Sequence, residues 1–368
     1  MLAGSLAQMP RYGGHAWVFL QYLLGFRRLG FDVMFIDRAG PDMGVTPAAA
    51  DAFLRDVLAP FGLEGAHAVL CDGGQEVLGV GRDELLSRVR AAALFINVMG
   101  FVRDPAVLEA ARRPVFLDID PGFPQMWSAL GLADLFANHE VFLTVGANIG
   151  SPQCEVPTCG LQWIATRPPV VLEQWPVTAG DRRFTTVGAW RGPFAPVAYS
   201  GRSYGLRVHE FRRFATLPLI TGRDFGVALD IHPEETKDIT MLNENGWALV
   251  DPDVGANPAA YRSFIQGSGA EFSVAKNMHV QARTGWFSDR SVCYLASGKP
   301  VVAQDTGLGW LGPTGEGLLR YGTVEEAAAA VDSVAEDYVR HSRAARALAE
   351  EAFDSDVVLK TLLRSVGA

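Results

Sequence analysis

The sequence is short of several things, and each shortage narrows what the chain can be. Cysteine is scarce: Cys71, Cys154, Cys159 and Cys293 are the only four in 368 residues. They are too few and too scattered for a disulfide framework. Cys154 and Cys159 lie close together, but no second pair completes a zinc site. The four read as reduced, mostly buried thiols, so a cytoplasmic location is expected. Basic charge is in deficit, with 32 Lys and Arg against 41 Asp and Glu and a net charge of -9. A nucleic-acid partner is therefore not expected, although a local basic pocket for phosphate is compatible with the total. No run reaches the roughly 18 apolar residues of a membrane span. The stretch 16–26 stops at Arg27 and Arg28, and it has neither the basic flank nor the cleavage site of a signal peptide. No G-x-G-x-x-G follows a strand, which argues against a dinucleotide oxidoreductase.

What is present is apolar mass. Hydrophobic residues make up 49% of the chain, enough for two medium domains with their own cores. The first half alternates. Helices are expected over 16–29, 47–60, 82–92 and 104–112, and short apolar strands over 33–37, 68–71, 93–98, 115–118 and 141–145. Residues 1–7 read as the tail of a strand. The three prolines of TRPPVVLEQWP, 166–176, read as a linker. The alternation then restarts, with strands over 185–190, 225–231, 247–250, 271–276 and 300–305. Helices are expected over 206–214, 235–245, 258–266 and 288–297. TVEE at 323–326 is a capping box that opens a helix to about residue 340, and a last helix covers 355–366. Apolar strands separated by helices imply parallel sheets covered on both faces. The expected domains are 1–170 and 171–350, with 351–368 packing back on the first. Ligands of such sheets bind at the carboxyl ends of the strands, here in a cleft between the two halves.

Several residues fall at those ends. Gly13 and Gly14 precede a helix, either for a tight turn or to let a substrate approach the backbone. His15 either packs against the helix start or serves as a base. Asp118 and Asp120, in LDID, alternate onto one face; they could move a proton, or order the loop by hydrogen bonds. Asn148 follows the strand 141–145, where an acceptor would pass. Lys276 ends a buried strand, which is unusual enough to suggest a ligand. Arg283 is a further candidate cation. The segment RTGWFSDRSVCYLASGKPVVAQDTG, 283–307, holds the densest signal. Ser288 and Asp289 cap a helix whose free N–H groups suit a phosphate, and Asp305, Thr306 and Gly307 form a second polar loop.

That segment resembles the sugar-nucleotide half of GT-B glycosyltransferases. TGWFS stands where many inverting members carry a histidine, a glycine and a Trp-Asn-Ser run. ASGKPVV is similar to the family's turn into the next strand, QDTG falls near the pair that touches the donor sugar, and GGH resembles the amino-terminal glycine loop. The resemblance implies an α/β fold of two Rossmann-like doubly wound parallel-sheet domains facing a cleft. It implies a metal-independent enzyme that moves a sugar from a nucleotide-diphosphate sugar to a hydroxyl of a small-molecule acceptor, in bacterial secondary metabolism or glycoconjugate synthesis. The nucleotide sugar is a co-substrate, and no further cofactor is implied. Arg191 would meet the diphosphate, with Lys276, Ser288, Asp289 and Asp305. His15, Asp118 or Asp120 would deprotonate the acceptor. The chain departs from the pattern at Thr284, where a histidine would stand. It departs again at Gly285 and Cys293, where retaining members carry paired glutamates. A nucleotide-sugar epimerase and a non-catalytic sugar or nucleotide binder remain alternatives. The sequence is compatible with a homodimer but does not fix the oligomeric state.

Overall fold

The computed structural model describes residues 1–71 and 74–368. It contains two parallel sheets. The first comprises β1 (Leu2–Ala3), β2 (Phe35–Arg38), β3 (His67–Leu70), β4 (Val77–Leu78), β5 (Phe95–Val98), β6 (Pro114–Asp118), β7 (Val141–Thr144) and β8 (Trp163–Ala165), in the order β4-β3-β2-β1-β5-β6-β7-β8. Only the edge strand β4 runs antiparallel, against β3. The second domain adds β9 (Phe184–Ala189), a hairpin of β10 (Val197–Tyr199) and β11 (Arg202–Tyr204), β12 (Phe225–Asp230), β13 (Trp247–Leu249), β14 (Ala270–Ser273), β15 (Val301–Gln304) and β16 (Leu318–Tyr321). Its sheet is ordered β13-β12-β9-β14-β15-β16. Apart from β4 and β8 at the edges of the first sheet, both sheets place three strands on each side of a reversal point, β1/β5 in one and β9/β14 in the other. In doubly wound sheets that point is where ligands bind.

The strands follow the apolar runs of the sequence because both faces of each sheet are covered. β5, β6, β7, β14 and β15 are buried along their whole length. The helix Gly13–Arg28 is buried nearly all round, as expected of a helix apolar on every side. It packs on the carboxyl-terminal helix Ser355–Val366, where a Cβ on Gly25 would stand 2.5 Å from Leu359. It also packs on the helix Pro258–Gly267 of the second domain. The Thr323 capping box forms as expected, with Thr323 Oγ1 accepting from the Glu326 N–H at 3.2 Å.

Some elements depart from expectation. The helix opened at Thr323 ends at Glu336 rather than about 340. Asp337 leaves helical geometry (φ -135°, ψ 60°) and starts a separate helix, Tyr338–Ala352. A short helix, Phe123–Ala129, follows Gly122, and the β10–β11 hairpin and β16 also have no counterpart in the sequence reading. Among the described residues no helix is long and apolar enough to cross a membrane.

Candidate functional site

The carboxyl ends of the strands line a cleft of about 570 Å³ between the domains, within the range of small-molecule sites. One wall comes from the first domain, with Met9, Tyr12, His15, Val18, Ile119 and Asp120. The other comes from the second, with Gly188, Asp230, Lys276, Trp286 and Ser288 to Arg290.

Three cations, Arg207, Lys276 and Arg290, stand on the second wall, beside the carboxyl groups of Asp230, Asp253 and Asp289. Ser288 caps the helix Asp289–Ala296 with extended backbone (φ -71°, ψ 134°), and its side chain makes no capping hydrogen bond. Arg290, one residue into the helix, is 5% exposed. Its Nε donates to Glu271 Oε1 at 2.5 Å and its Nη2 to Ser273 Oγ at 3.0 Å. Burial works against its charge, but Glu271 together with Tyr261 and Tyr294 outweighs burial and holds the guanidinium above its ordinary range. Arg207 lies beside it, and a Cβ on Gly188 would stand 2.8 Å from Arg207 Nη1 and 3.6 Å from Arg290 Nη1. Among the described residues Arg207 has no carboxylate in ion-pair contact: Nη1 donates to Ala189 O at 3.1 Å, and Nε is buried without a partner. Burial, then repulsion from Arg290, push it down to about 9.

Lys276 is the third cation. Its ammonium lies 5.1 Å from the ring centres of both Phe123 and Phe194 and pairs with Asp120 of the opposite wall. His279 Nε2 lies 3.1 Å from Asp120 Oδ1, out of line for a hydrogen bond, and the His279 ring stacks on Trp286 at 4.5 Å. Burial alone would raise the Asp120 carboxyl; Lys276 and His279 outweigh it and hold it at about 2.

His15 lines the same cleft. Its Nε2 meets the Ser5 carbonyl at 3.0 Å. A carbonyl only accepts, so Nε2 carries the proton and Nδ1 is left as the basic nitrogen. Burial lowers the pKa, which keeps the ring neutral. Asp118, by contrast, is sealed behind the wall. It accepts from Gln125 Nε2 at 2.7 Å, Thr144 Oγ1 at 2.8 Å and the Asp120 N–H at 3.0 Å. Burial pushes it up to about 7. The expected shared face does not form, because β6 ends at Asp118 and the chain turns before Asp120.

Other candidates serve the seam between the domains or the second domain's own turns, although Gly14 also stands on the cleft wall. A Cβ on Gly13 would stand 2.2 Å from Asn257 O, and one on Gly14 2.7 Å from Tyr261 Cε2. Both glycines are helical, inside Gly13–Arg28, so they form no loop. Asn148 Nδ2 donates to Arg283 O at 3.0 Å and Gly307 O at 2.9 Å. Thr306 donates to Trp286 O at 2.6 Å. Asp305 accepts from the Gly307 and Leu308 N–H groups and lies 3.5 Å from Arg283. Arg191 lies on the surface, bidentate to Glu235 at 2.5 and 2.7 Å, outside the residues that line the cleft. Arg207 and Arg290 are the residues that sequence reasoning missed. Glu271, inside a strand expected to be buried, was the available signal, since a buried carboxylate requires a cation.

Among the described residues, no cluster of three or more His, Cys, Asp or Glu side chains is placed to hold a metal ion. No protein-family model and no curated protein matches the chain. Solved structures do. HepE of Anabaena, in complex with UDP-glucose, is 15% identical with a TM-score of 0.61, over 100% of this chain and 98% of its own. Sucrose-phosphate synthase of Thermosynechococcus elongatus is 10% identical with a TM-score of 0.56, over 100% and 98%. AviGT4, a glycosyltransferase involved in avilamycin A biosynthesis, is 14% identical with a TM-score of 0.53, over 97% and 90%. The fold is thus the GT-B arrangement of two Rossmann-like domains around a cleft.

Proposed function

We propose that the chain is a glycosyltransferase that takes a sugar from a nucleoside-diphosphate sugar and passes it to a hydroxyl of a small acceptor. The observation that carries this reading is the convergence of Arg207, Arg290 and Lys276 on the Ser288-capped helix start. Buried cations and free N–H groups are what a leaving diphosphate needs as its charge develops. The bound UDP-glucose of HepE and the activity of AviGT4 favour the same chemistry.

His15 is the base. Of the three candidates it alone faces the cleft as a neutral group with a basic nitrogen available. Asp118 cannot reach a substrate, and Asp120 is engaged by Lys276. In this reading His15 Nδ1 takes the acceptor proton as the hydroxyl attacks the sugar, and the cations hold the departing diphosphate. Met9, Val18 and Ile119 give the acceptor side an apolar wall, suited to an aglycone with an apolar body.

The test is a thermal-shift screen with UDP, GDP, dTDP, ADP and NAD, with and without magnesium. A ligand of the native state stabilises it by mass action. A shift with one nucleoside diphosphate is expected, and silence with all of them at millimolar concentration sinks the reading. His15→Asn then separates a transferase from a binder: turnover falls while diphosphate affinity stays. Because burial lowers the His15 pKa, the acid limb of kcat/KM should fall below the ordinary imidazole value, and an acid limb above that value would remove His15 from the role.

A further inference from the structure

The carboxylate that meets Lys276 comes from the other domain. Asp120 follows β6, whereas Lys276 and His279 follow β14. Only 15% of the Lys276 side chain is exposed, with two aromatic rings around its ammonium. An ammonium so enclosed needs a counter-charge, and Asp120 supplies it. Asp120 itself is loosely tethered otherwise, since its Oδ1 makes no hydrogen bond and His279 approaches out of line. A diphosphate in the same cleft offers the same kind of charge. It and Asp120 cannot both crowd the ammonium without repelling each other.

We propose that Asp120 is a positioning residue that stands in for the donor's diphosphate, holding Lys276 in place across the cleft until the phosphates take it over. The inference rests on the donor reading above. It has an unusual sign. Removing a residue that merely supports a site weakens ligand binding, whereas removing a competing anion strengthens it.

The experiment compares the full chain with Asp120→Asn and Asp120→Ser, using UDP and inorganic pyrophosphate as calorimetric probes at low salt. Both variants should bind about 5- to 10-fold tighter, and the gain should shrink as salt screens the charges. Adding Lys276→Gln to Asp120→Asn should abolish the gain. A second readout needs no ligand. The chain has only four lysines, Lys237, Lys276, Lys299 and Lys360. Lys237 and Lys360 are exposed and Lys299 is buried, so reductive methylation followed by mass spectrometry resolves each one. Lys276 should label faster in both variants, measured against Lys237 and Lys360. Unchanged or weaker affinity, or unchanged Lys276 labelling, overturns the proposal. If the parent chain binds neither UDP nor pyrophosphate, the donor reading falls and this inference with it. If the parent binds and the variants gain nothing, only the stand-in falls.

Discussion

Two regions meet at the edge of the cleft, and they differ in how their polar groups are satisfied. In the domain seam the glycines and Asn148 make complete contacts. Gly13 and Gly14 press against backbone and ring atoms of the opposite domain, and Asn148 spends its amide on two carbonyls. On the second wall of the cleft, satisfaction is partial. Arg290 has its carboxylate, Lys276 borrows one from across the cleft, and Arg207 has none in ion-pair contact among the described residues. Evolution tolerates an unpaired buried charge where a ligand completes it. Among these charged and amide groups, incomplete satisfaction goes with the cleft and complete satisfaction with the seam.

The strongest way to break that distinction is Arg290→Met. Arg290 belongs to both regions, since it faces the cleft and neutralises Glu271, which is fully buried. Losing it strands a buried carboxylate and should cost about 3–5 kcal/mol. Urea unfolding would read this, and an unchanged midpoint would mean that Glu271 is not held as described. Gly13→Ala comes next. The new Cβ would meet Asn257 backbone, which cannot rotate away, so about 1–3 kcal/mol should be lost. If Gly13 serves substrate approach instead, the variant keeps its stability and loses only affinity.

The fold was legible because buried parallel strands write themselves as short apolar runs, and most boundaries fall within a few residues of expectation. β6 read as 115–118 and forms at Pro114–Asp118; the last helix read as 355–366 and forms at Ser355–Val366. The site was harder to read. Its key arginines are separated by more than 80 positions and meet only through the packing of Gly188. The motif-rich loop at 305–307 drew attention by composition, yet most of its hydrogen bonds close turns of the second domain itself, and its Gly307 carbonyl accepts from Asn148 of the first. Glycine, asparagine and aspartate suit tight backbone junctions for the same reasons that they suit ligand loops, so composition alone does not separate the two uses. His15 lines the cleft, but the Ser5 carbonyl that fixes its tautomer lies ten residues away, and no local pattern announces it.

Asn148→Ala sharpens the comparison with a smaller effect. Two hydrogen bonds across the seam disappear, while the Asn148 N–H keeps its bond to Thr284 O. A loss of about 1–2 kcal/mol is expected, with diphosphate affinity nearly unchanged by calorimetry. A selective loss of affinity would return Asn148 to the substrate site.

Arg207→Met should have the smallest effect on the fold, and it separates the two regions most cleanly. The guanidinium has one hydrogen bond, to Ala189 O, and sits against Arg290 with its Nε unpartnered. Removing it relieves both desolvation and like-charge repulsion, so stability should stay within about 0.5 kcal/mol or rise. Diphosphate affinity should nevertheless fall about 10- to 100-fold, the worth of a charge-assisted hydrogen bond to phosphate. Thermal unfolding and calorimetry on one preparation give both numbers. A stable chain that has lost its affinity identifies Arg207 as a charge kept for a ligand. A chain that loses stability instead would show that Arg207 is structural and would leave Lys276 and Arg290 as the diphosphate cations.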